Sequence, residues 1–419
     1  MTRWFSIFKI PDLRRKLFIV GGILVVSRLL ASIPIPNIDI TQLRAFLESS
    51  QLLGFLNLLS GSTLENFSIA MLGVGPYITA TIIMQLLTMI FPRLKELYYE
   101  EGEAGRRRFN RLSRFITVPL SAIQAYGLLN LLTAQGVIPR LSLSVLLWDV
   151  VIITAGSMLL LWLGDLITEQ KIGNGISFLI FAGIVSGVPS FIQQTIASYS
   201  PQNLPVYIAF IILAVLVIAG VIFITEGERK VPVSYAKRVR GMKLYGGASS
   251  YLPLRVNQAG VIPIIFAISL LLFPQFAAQI LAIFSPDLSL RMTNFVNSVL
   301  GNQLIYGFIY FFLVFVFTYF YTAVVFDPQE ISKNLQRSGG FILGIRPGEP
   351  TGQFLQKIIS RTTLFGAIFL GIIAILPIFT QYLTGVSTLT LGGTALLIVV
   401  SVALEIRNQI ESQLAIRNY

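Results

Sequence analysis

Ten apolar runs alternate with shorter polar segments along this chain, at 17–33, 67–91, 115–134, 143–168, 175–198, 205–225, 258–276, 304–326, 358–383 and 389–404. Crossing the hydrocarbon of a bilayer takes about 20 mostly apolar residues. The pattern therefore predicts ten membrane-spanning helices. The first run follows Arg14-Arg15-Lys16 and is itself followed by Ile33-Pro34-Ile35-Pro36. A cleaved signal would end in small residues, so this run reads as a retained span. Two polar segments, 226–257 and 327–357, exceed the about 12–15 residues of an ordinary connector and lie on the same side. On the other side, 34–66 contains Leu52-Leu-Gly-Phe-Leu-Asn-Leu-Leu-Ser60. That stretch is apolar but short, as in segments that re-enter the membrane or lie at its surface.

Composition agrees with the pattern. Only 12% of the 419 residues are charged and 54% are hydrophobic, with a mean hydropathy of +0.77. Soluble domains carry roughly 25% charged residues, so a soluble multidomain enzyme is excluded. Cysteine and histidine are absent, which removes disulfides, a thiol nucleophile, Cys/His metal sites and a histidine base. Asp149 and Asp165 fall near the two ends of the fourth run, and Glu405 falls just past the tenth. No carboxylate stands where an ion-coupled pump would hold one, and the phosphate-cradling G-x-x-x-x-G-K-[ST] is missing. We expect no catalytic, metal or cofactor site, and a path driven by a partner. The net charge is +12, and its distribution sets the orientation. Segments on the amino-terminal side hold 26 Lys and Arg, the opposite loops 3. By the positive-inside rule both termini are expected to be cytoplasmic.

A short internal repeat organises the runs. Gly73-Val-Gly-Pro-Tyr-Ile78 and Gly260-Val-Ile-Pro-Ile-Ile265 share G-V-x-P-x-I. Each opens the second span of a five-span half, residues 1–200 and 201–419. An odd number of spans inverts the second half, and sites in such proteins lie between the halves. Proline within a span loosens a helix and glycine permits unusual dihedrals, a combination suited to helices that part. Gln85 in the second run and Asn257 at the start of the seventh are candidates for a polar latch between helices, each such hydrogen bond contributing about 0.6–2 kcal/mol. Arg28 lies inside the first run, placed to snorkel or to pair within the bundle.

Several motifs in register, spread over essentially the whole chain, resemble one family. They are Pro34-Ile-Pro36, the two repeats above, Glu101-Gly-Glu-Ala-Gly-Arg-Arg107, Gly173-Asn-Gly-Ile-Ser177, Tyr235-Ala-Lys-Arg238, Leu252-Pro-Leu-Arg-Val-Asn257 and Gly344-Ile-Arg-Pro-Gly-Glu349. The chain resembles bacterial-type SecY, the channel subunit of the Sec protein translocon. The resemblance implies an all-α polytopic fold: ten transmembrane helices in two inverted five-helix halves around a central pore. It implies a protein-conducting channel that passes unfolded secretory polypeptides and releases hydrophobic segments sideways into lipid. The implied partners are SecE and SecG, the SecA ATPase, the ribosome, preproteins with signal sequences, and membrane lipid. The implied constriction is a ring of Val74, Ile78, Ile176, Ile180, Ile265 and Ile398, with Val74 where isoleucine is more usual. The implied plug is roughly Gly54–Asn66, including Phe55, Leu56, Leu58, Leu59 and Leu64. Gln85 and Asn257 match lateral-gate positions between spans two and three on one side and seven and eight on the other. Lys237, Arg238, Arg240, Lys243 and Arg346 match the partner-binding tips of the two long loops.

Two rival classes fit the residues less well. A secondary carrier with inverted five-span repeats would hold ionisable groups at the midplane, which these spans lack. A membrane-insertion chaperone without a through-pore would not need both the plug-like segment and the paired long loops.

Overall fold

The computed structural model describes residues 10–35, 64, 67–99, 101–134, 136–139, 141–197, 201, 204–235, 238–240, 243–245, 249–384 and 392–417. The amino-terminal part holds α1 (Pro11–Ser32), α2 (Gly75–Ile90), α3 (Pro92–Tyr99), α4 (Gly102–Ala134), α5 (Leu143–Glu169) and α6 (Gly175–Ala197). The carboxy-terminal part holds α7 (Leu204–Glu226), α8 (Ile262–Phe284), α9 (Pro286–Leu300), α10 (Gln303–Val325), α11 (Pro328–Arg337), α12 (Glu349–Thr384) and α13 (Gly392–Arg417). Five short strands lie among them: β1 (Glu228–Tyr235), β2 (Arg238–Arg240), β3 (Lys243–Tyr245), β4 (Ser249–Arg255) and β5 (Gly340–Phe341).

A helix covers at least part of every apolar run, but length and hydropathy alone qualify six of the described helices as membrane-crossing. A seventh arises if α2 and α3, bent by 113° at Phe91-Pro92, count as one span. The shortfall has local causes. Helix α1 opens on Asp12, Arg14, Arg15 and Lys16 and carries Arg28, and α13 ends in charged residues. The second run, 67–91, is not one helix. Residues 67–74 form turns, and Ile35 and Ile69 donate backbone hydrogen bonds to Phe67 (2.9 Å) and Ile33 (3.0 Å). That pairing ties the end of α1 to the entry of α2. The entry segment lies so close to α5 that a Cβ on Gly156 would collide with the Ile69 carbonyl.

The repeat is expressed in the backbone. Gly73 and Gly260 have φ of +57° and +62°. Val74 and Val261 then act as N-caps at φ −94°, with ψ of 5° and −7°. Pro76 and Pro263 each fall in the first helical turn. The expectation that these prolines loosen a helix is corrected here. A first-turn proline gives up an N–H that has no intrahelical partner anyway, and its fixed φ suits a helix start. Both motifs therefore end a turn sharply and launch α2 and α8.

The two long polar segments are structured jointly. β1 pairs antiparallel with β4 from Glu228↔Arg255 to Ser234↔Ser249, and also with β5 through Tyr235↔Gly340. Val231 and Val233 alternate inward along β1 and bury against Leu254, Ile342, Leu355, Ile358 and Ile359. This small core welds the two segments to α12, whose 36 residues run continuously from the sheet into the bundle.

The amino- and carboxy-terminal helices meet along two seams. At one, α8 packs on α2 and α4; at the other, α13 packs on α6.

Candidate functional site

The largest buried cluster among the described residues draws on both seams, with residues of α2 and α8 and of α6 and α13. It contains Val74, Ile78, Ile180, Ile265 and Ile398, all at most 9% exposed, and Ile176 packs half-buried against it. All six residues matching the aliphatic ring are thus brought together, from α2 and its cap, α6, α8 and α13. Helical spacing explains part of this: residues four apart share a face, as do Val74 with Ile78 and Ile176 with Ile180. The turn geometry explains the rest. The Asn174 side chain accepts the Ile176 amide (3.0 Å) and starts α6 beside the ring. Gly175 approaches α5 so closely that a Cβ there would strike the Gly164 carbonyl. Gly73 and Gly260 set the first turns of α2 and α8 at the same level of their motifs. An aliphatic collar gives water and ions no hydrogen-bond partner and can gate by dewetting.

The two amides matching gate positions behave differently from a latch. Asn257 is 6% exposed and turns its Nδ2 to the carbonyl of Gly260 in its own loop, 3.2 Å away. Its Oδ1 is buried without a partner, and so is Oε1 of half-buried Gln85. Among the described residues neither amide bonds across the α8 seam. The expected interhelical latch is therefore not formed, because Asn257 spends its donor on the turn that holds Gly260 at positive φ. Each amide instead leaves one buried acceptor unsatisfied.

Arg346 is exposed on a turn between Gly344 (φ +82°) and Gly348 (φ +98°). Two buried hydroxyls hold this turn. Thr351, in the first turn of α12, donates to the Arg346 carbonyl at 2.8 Å, and Ser332 of α11 donates to the Gly348 carbonyl. Sequence reading missed both. The only signal was a small hydroxyl residue closely following Gly-Glu-Pro. Arg238, Arg240 and Lys243 lie on the β2–β3 hairpin, with Arg240 paired to Lys243. Lys237 lies outside the described residues.

Of the plug candidates, Gly54, Phe55, Leu56, Leu58 and Leu59 lie outside the described residues. Leu64 is 2% exposed in a second core with Phe67, Met71, Leu129, Leu132 and Ile153, against α4 and α5. Two further polar contacts occupy the bundle. Arg28 donates to Ser186 Oγ of α6 (3.2 Å), and Arg114 of α4 meets Asp165 of α5 at 2.8 Å. Asp165, read from sequence only as an end-of-span acid, is thus ion-paired. The described residues hold no group of three or more acidic residues placed to bind a metal.

An all-α polytopic bundle with a buried aliphatic cluster at the meeting of two helix groups fits a membrane channel fold. Residues 68–407 match the SecY family. The protein translocase subunit SecY of Thermus thermophilus is 44% identical over 430 residues, covering 100% of this chain and 97% of that protein. The protein of the same name from Thermotoga maritima is 40% identical over 423 residues, covering 98% and 95%. A solved structure described as a protein conducting channel has a TM-score of 0.66 at 20% identity, covering 95% of this chain and 91% of that one. Sec61 in the canine ribosome–channel complex from the endoplasmic reticulum has a TM-score of 0.64 at 19% identity, with the same coverages. The chain belongs to the SecY family, and its function is that of a protein-conducting channel subunit of the Sec translocon.

Proposed function

We propose that unfolded secretory chains pass through the aliphatic collar of Val74, Ile78, Ile176, Ile180, Ile265 and Ile398. The observation that carries this reading is the convergence of all six in one core drawn from four helices of both parts of the chain. Bulky aliphatic side chains seal against ions when idle and offer a sliding polypeptide no specific hold. The α8 seam against α2 and α4 is the lateral exit, because parting it exposes the collar to lipid and breaks no hydrogen bond from the two gate amides. Residues 54–66 act as a plug on the outer side. Residues 1–200 and 201–419 move as the two halves.

The chain does no catalysis itself. Work comes from SecA or a translating ribosome docking on the β1–β4–β5 platform, with Arg346, Lys237, Arg238, Arg240 and Lys243 as the contacts. Arginine suits this role because its planar fork reads carboxylate and phosphate bidentately. Solved Sec61 and Ssh1 structures carry bound ribosomes, which supports the ribosome as one such partner. SecE and SecG complete the assembly. The basic face of the bundle lies in the cytoplasm with both termini, in the bacterial inner membrane. Reconstitution into liposomes with SecE and SecA tests this reading. A secretory precursor added outside with ATP should become protease-protected. Absence of protection with correctly assembled complex would overturn it.

A further inference from the structure

The connection between the spans α8 and α10 is itself a helix, α9, and three stripes of side chains run along it. Asp287, Arg291, Asn294 and Ser298 are polar and exposed. Leu288, Met292, Phe295 and Val299 make an apolar stripe, with Leu288 53% and Phe295 64% exposed. Ser289, Val296 and Leu300 face the bundle. The Ser289 hydroxyl donates to the Ala278 carbonyl of α8 at 2.8 Å, Val296 is buried, and Leu300 packs on the main core. Neighbours within a stripe are three, four or seven residues apart, so each stripe shares one side of the helix. At about 100° per residue, the apolar stripe lies between the polar stripe and the one on the bundle. Among the described residues only Leu290 breaks the division, exposed on the side away from the apolar stripe.

Both ends of α9 stand at one rim of the bundle. Phe266 of α8 packs edge-on against Phe317 and Tyr321 of α10, with ring centroids 5.7 and 6.0 Å apart. Antiparallel helices rise equally per residue, so Gln303 at the start of α10 lies level with the last turns of α8. Only Ser285 separates α8 from α9, and two residues separate α9 from α10. The β1–β4–β5 platform joins the opposite ends of α8 and α10, so α9 occupies the rim away from it. At this rim the first two turns of α10 expose Leu304, Ile305 and Phe308, side chains that a membrane span turns to acyl chains. The apolar stripe extends the same kind of surface onto α9. A helix with one apolar and one polar side lies in the plane of a bilayer interface. Arg291 is the one Lys or Arg between residues 277 and 303. It stands three residues from Leu288 and four from Phe295, on the border of the apolar stripe. There its stem can cover apolar surface while the guanidinium stays at the polar boundary, where a phosphate accepts its paired hydrogen bonds.

We propose that α9 is an in-plane membrane anchor, with Leu288, Met292, Phe295 and Val299 seated among phospholipid acyl chains and Arg291 on a lipid phosphate. Because the chain has no cysteine, single nitroxide labels can be placed on α9 in the complete complex reconstituted into phospholipid liposomes. Leu288→Cys and Phe295→Cys report the apolar stripe, Asn294→Cys and Ser298→Cys the polar one. Met292→Cys and Val299→Cys repeat the comparison should either apolar variant fail to assemble. Collisions with molecular oxygen, which enters the bilayer, are compared with collisions with a water-soluble nickel chelate. The oxygen-to-nickel ratio should be about fivefold higher on the apolar stripe than on the polar one. With the label at 295, Arg291→Glu should lower that ratio about twofold, because phosphate repels the carboxylate, and Arg291→Lys should leave it unchanged. In bilayers of an uncharged galactolipid, which has no phosphate, Arg291→Glu should have no effect.

Equal nickel access on the two stripes would put the apolar side in water and refute the anchor. Shielding of the apolar labels from both oxygen and nickel would show protein there instead, a partner or a second copy, and would refute it equally. An Arg291→Glu variant that behaves like the parent in phospholipid would remove the phosphate contact. A loss of the same size in the galactolipid would trace the effect to the helix itself and overturn that contact as well.

Discussion

Replacing Gln85 by leucine should make the channel harder to open. Its Oε1 is buried without a partner on α2, one of the helices that line the proposed exit. A buried acceptor left unsatisfied costs about 1–3 kcal/mol. Leucine matches much of the glutamine volume and removes that penalty, so the closed arrangement gains about 1–2 kcal/mol. When the seam parts, the glutamine oxygen meets water or a passing chain and the penalty disappears. The substitution therefore acts almost wholly on the closed state. A gain of 1.4 kcal/mol is tenfold in the open–closed equilibrium. Asn257→Leu should behave differently. It also removes an orphaned oxygen, but it loses the 3.2 Å hydrogen bond to the Gly260 carbonyl. That bond contributes about 0.5–1.5 kcal/mol, which offsets most of the gain. The assay uses a series of precursors whose signal sequences differ only in hydrophobicity, translocated by reconstituted complexes of equal assembly. Gln85→Leu should shift the threshold toward more hydrophobic signals and pass weak signals about tenfold less well, while Asn257→Leu stays within threefold of the parent. A relaxed threshold for Gln85→Leu would show that the glutamine is a latch after all and would refute the reasoning.

Three further outcomes follow from the same geometry. Ile78→Asn puts an amide into the collar and should raise idle ion conductance of the reconstituted channel severalfold by favouring wetting; unchanged conductance with normal insertion would remove Ile78 from the constriction. Arg346→Glu should leave expression and pairing with SecE near normal, since an exposed loop charge changes stability by about 0.5 kcal/mol or less, yet cost about 2 kcal/mol or more of partner docking. Arg346→Lys and Thr351→Ala should fall in between, the first losing the fork and the second the hydrogen bond that holds the loop; binding of SecA to the complex measures all three. Gly156→Val should lower the yield of folded protein sharply, because any side chain there meets the Ile69 backbone and neither strand of chain can yield without opening the α5 contact; normal thermal stability in detergent would contradict that packing.

Much of this molecule follows from local properties of the chain. The ten apolar runs, the asymmetry of Lys and Arg and the absence of histidine and cysteine are properties of composition along one dimension. They determine that the chain enters lipid, which face is basic, and that no thiol, imidazole or Cys/His metal chemistry is present. The G-V-x-P-x-I repeat was visible too, and its glycine and first-turn proline dictate a sharp helix entry wherever they occur. Its meaning was not visible. A proline in an apolar run reads the same whether it breaks a helix or starts one, and only the folded backbone distinguishes Pro76 and Pro263 as first-turn residues. Individual aliphatic residues are equally mute. Ile398 differs in nothing from its neighbours until α13 lies against α6, which places it with Ile180 and Ile265 from elements hundreds of residues apart. The two long polar segments look like independent loops, because strand pairing between 228–235 and 340–341 is a contact across about a hundred residues of sequence. The bond from the Ser332 hydroxyl to the Gly348 carbonyl and the reach of Gln413 to the Lys171 carbonyl are decided at the same level. Each depends on where a distant carbonyl happens to stand, and that position exists only once the helices have packed.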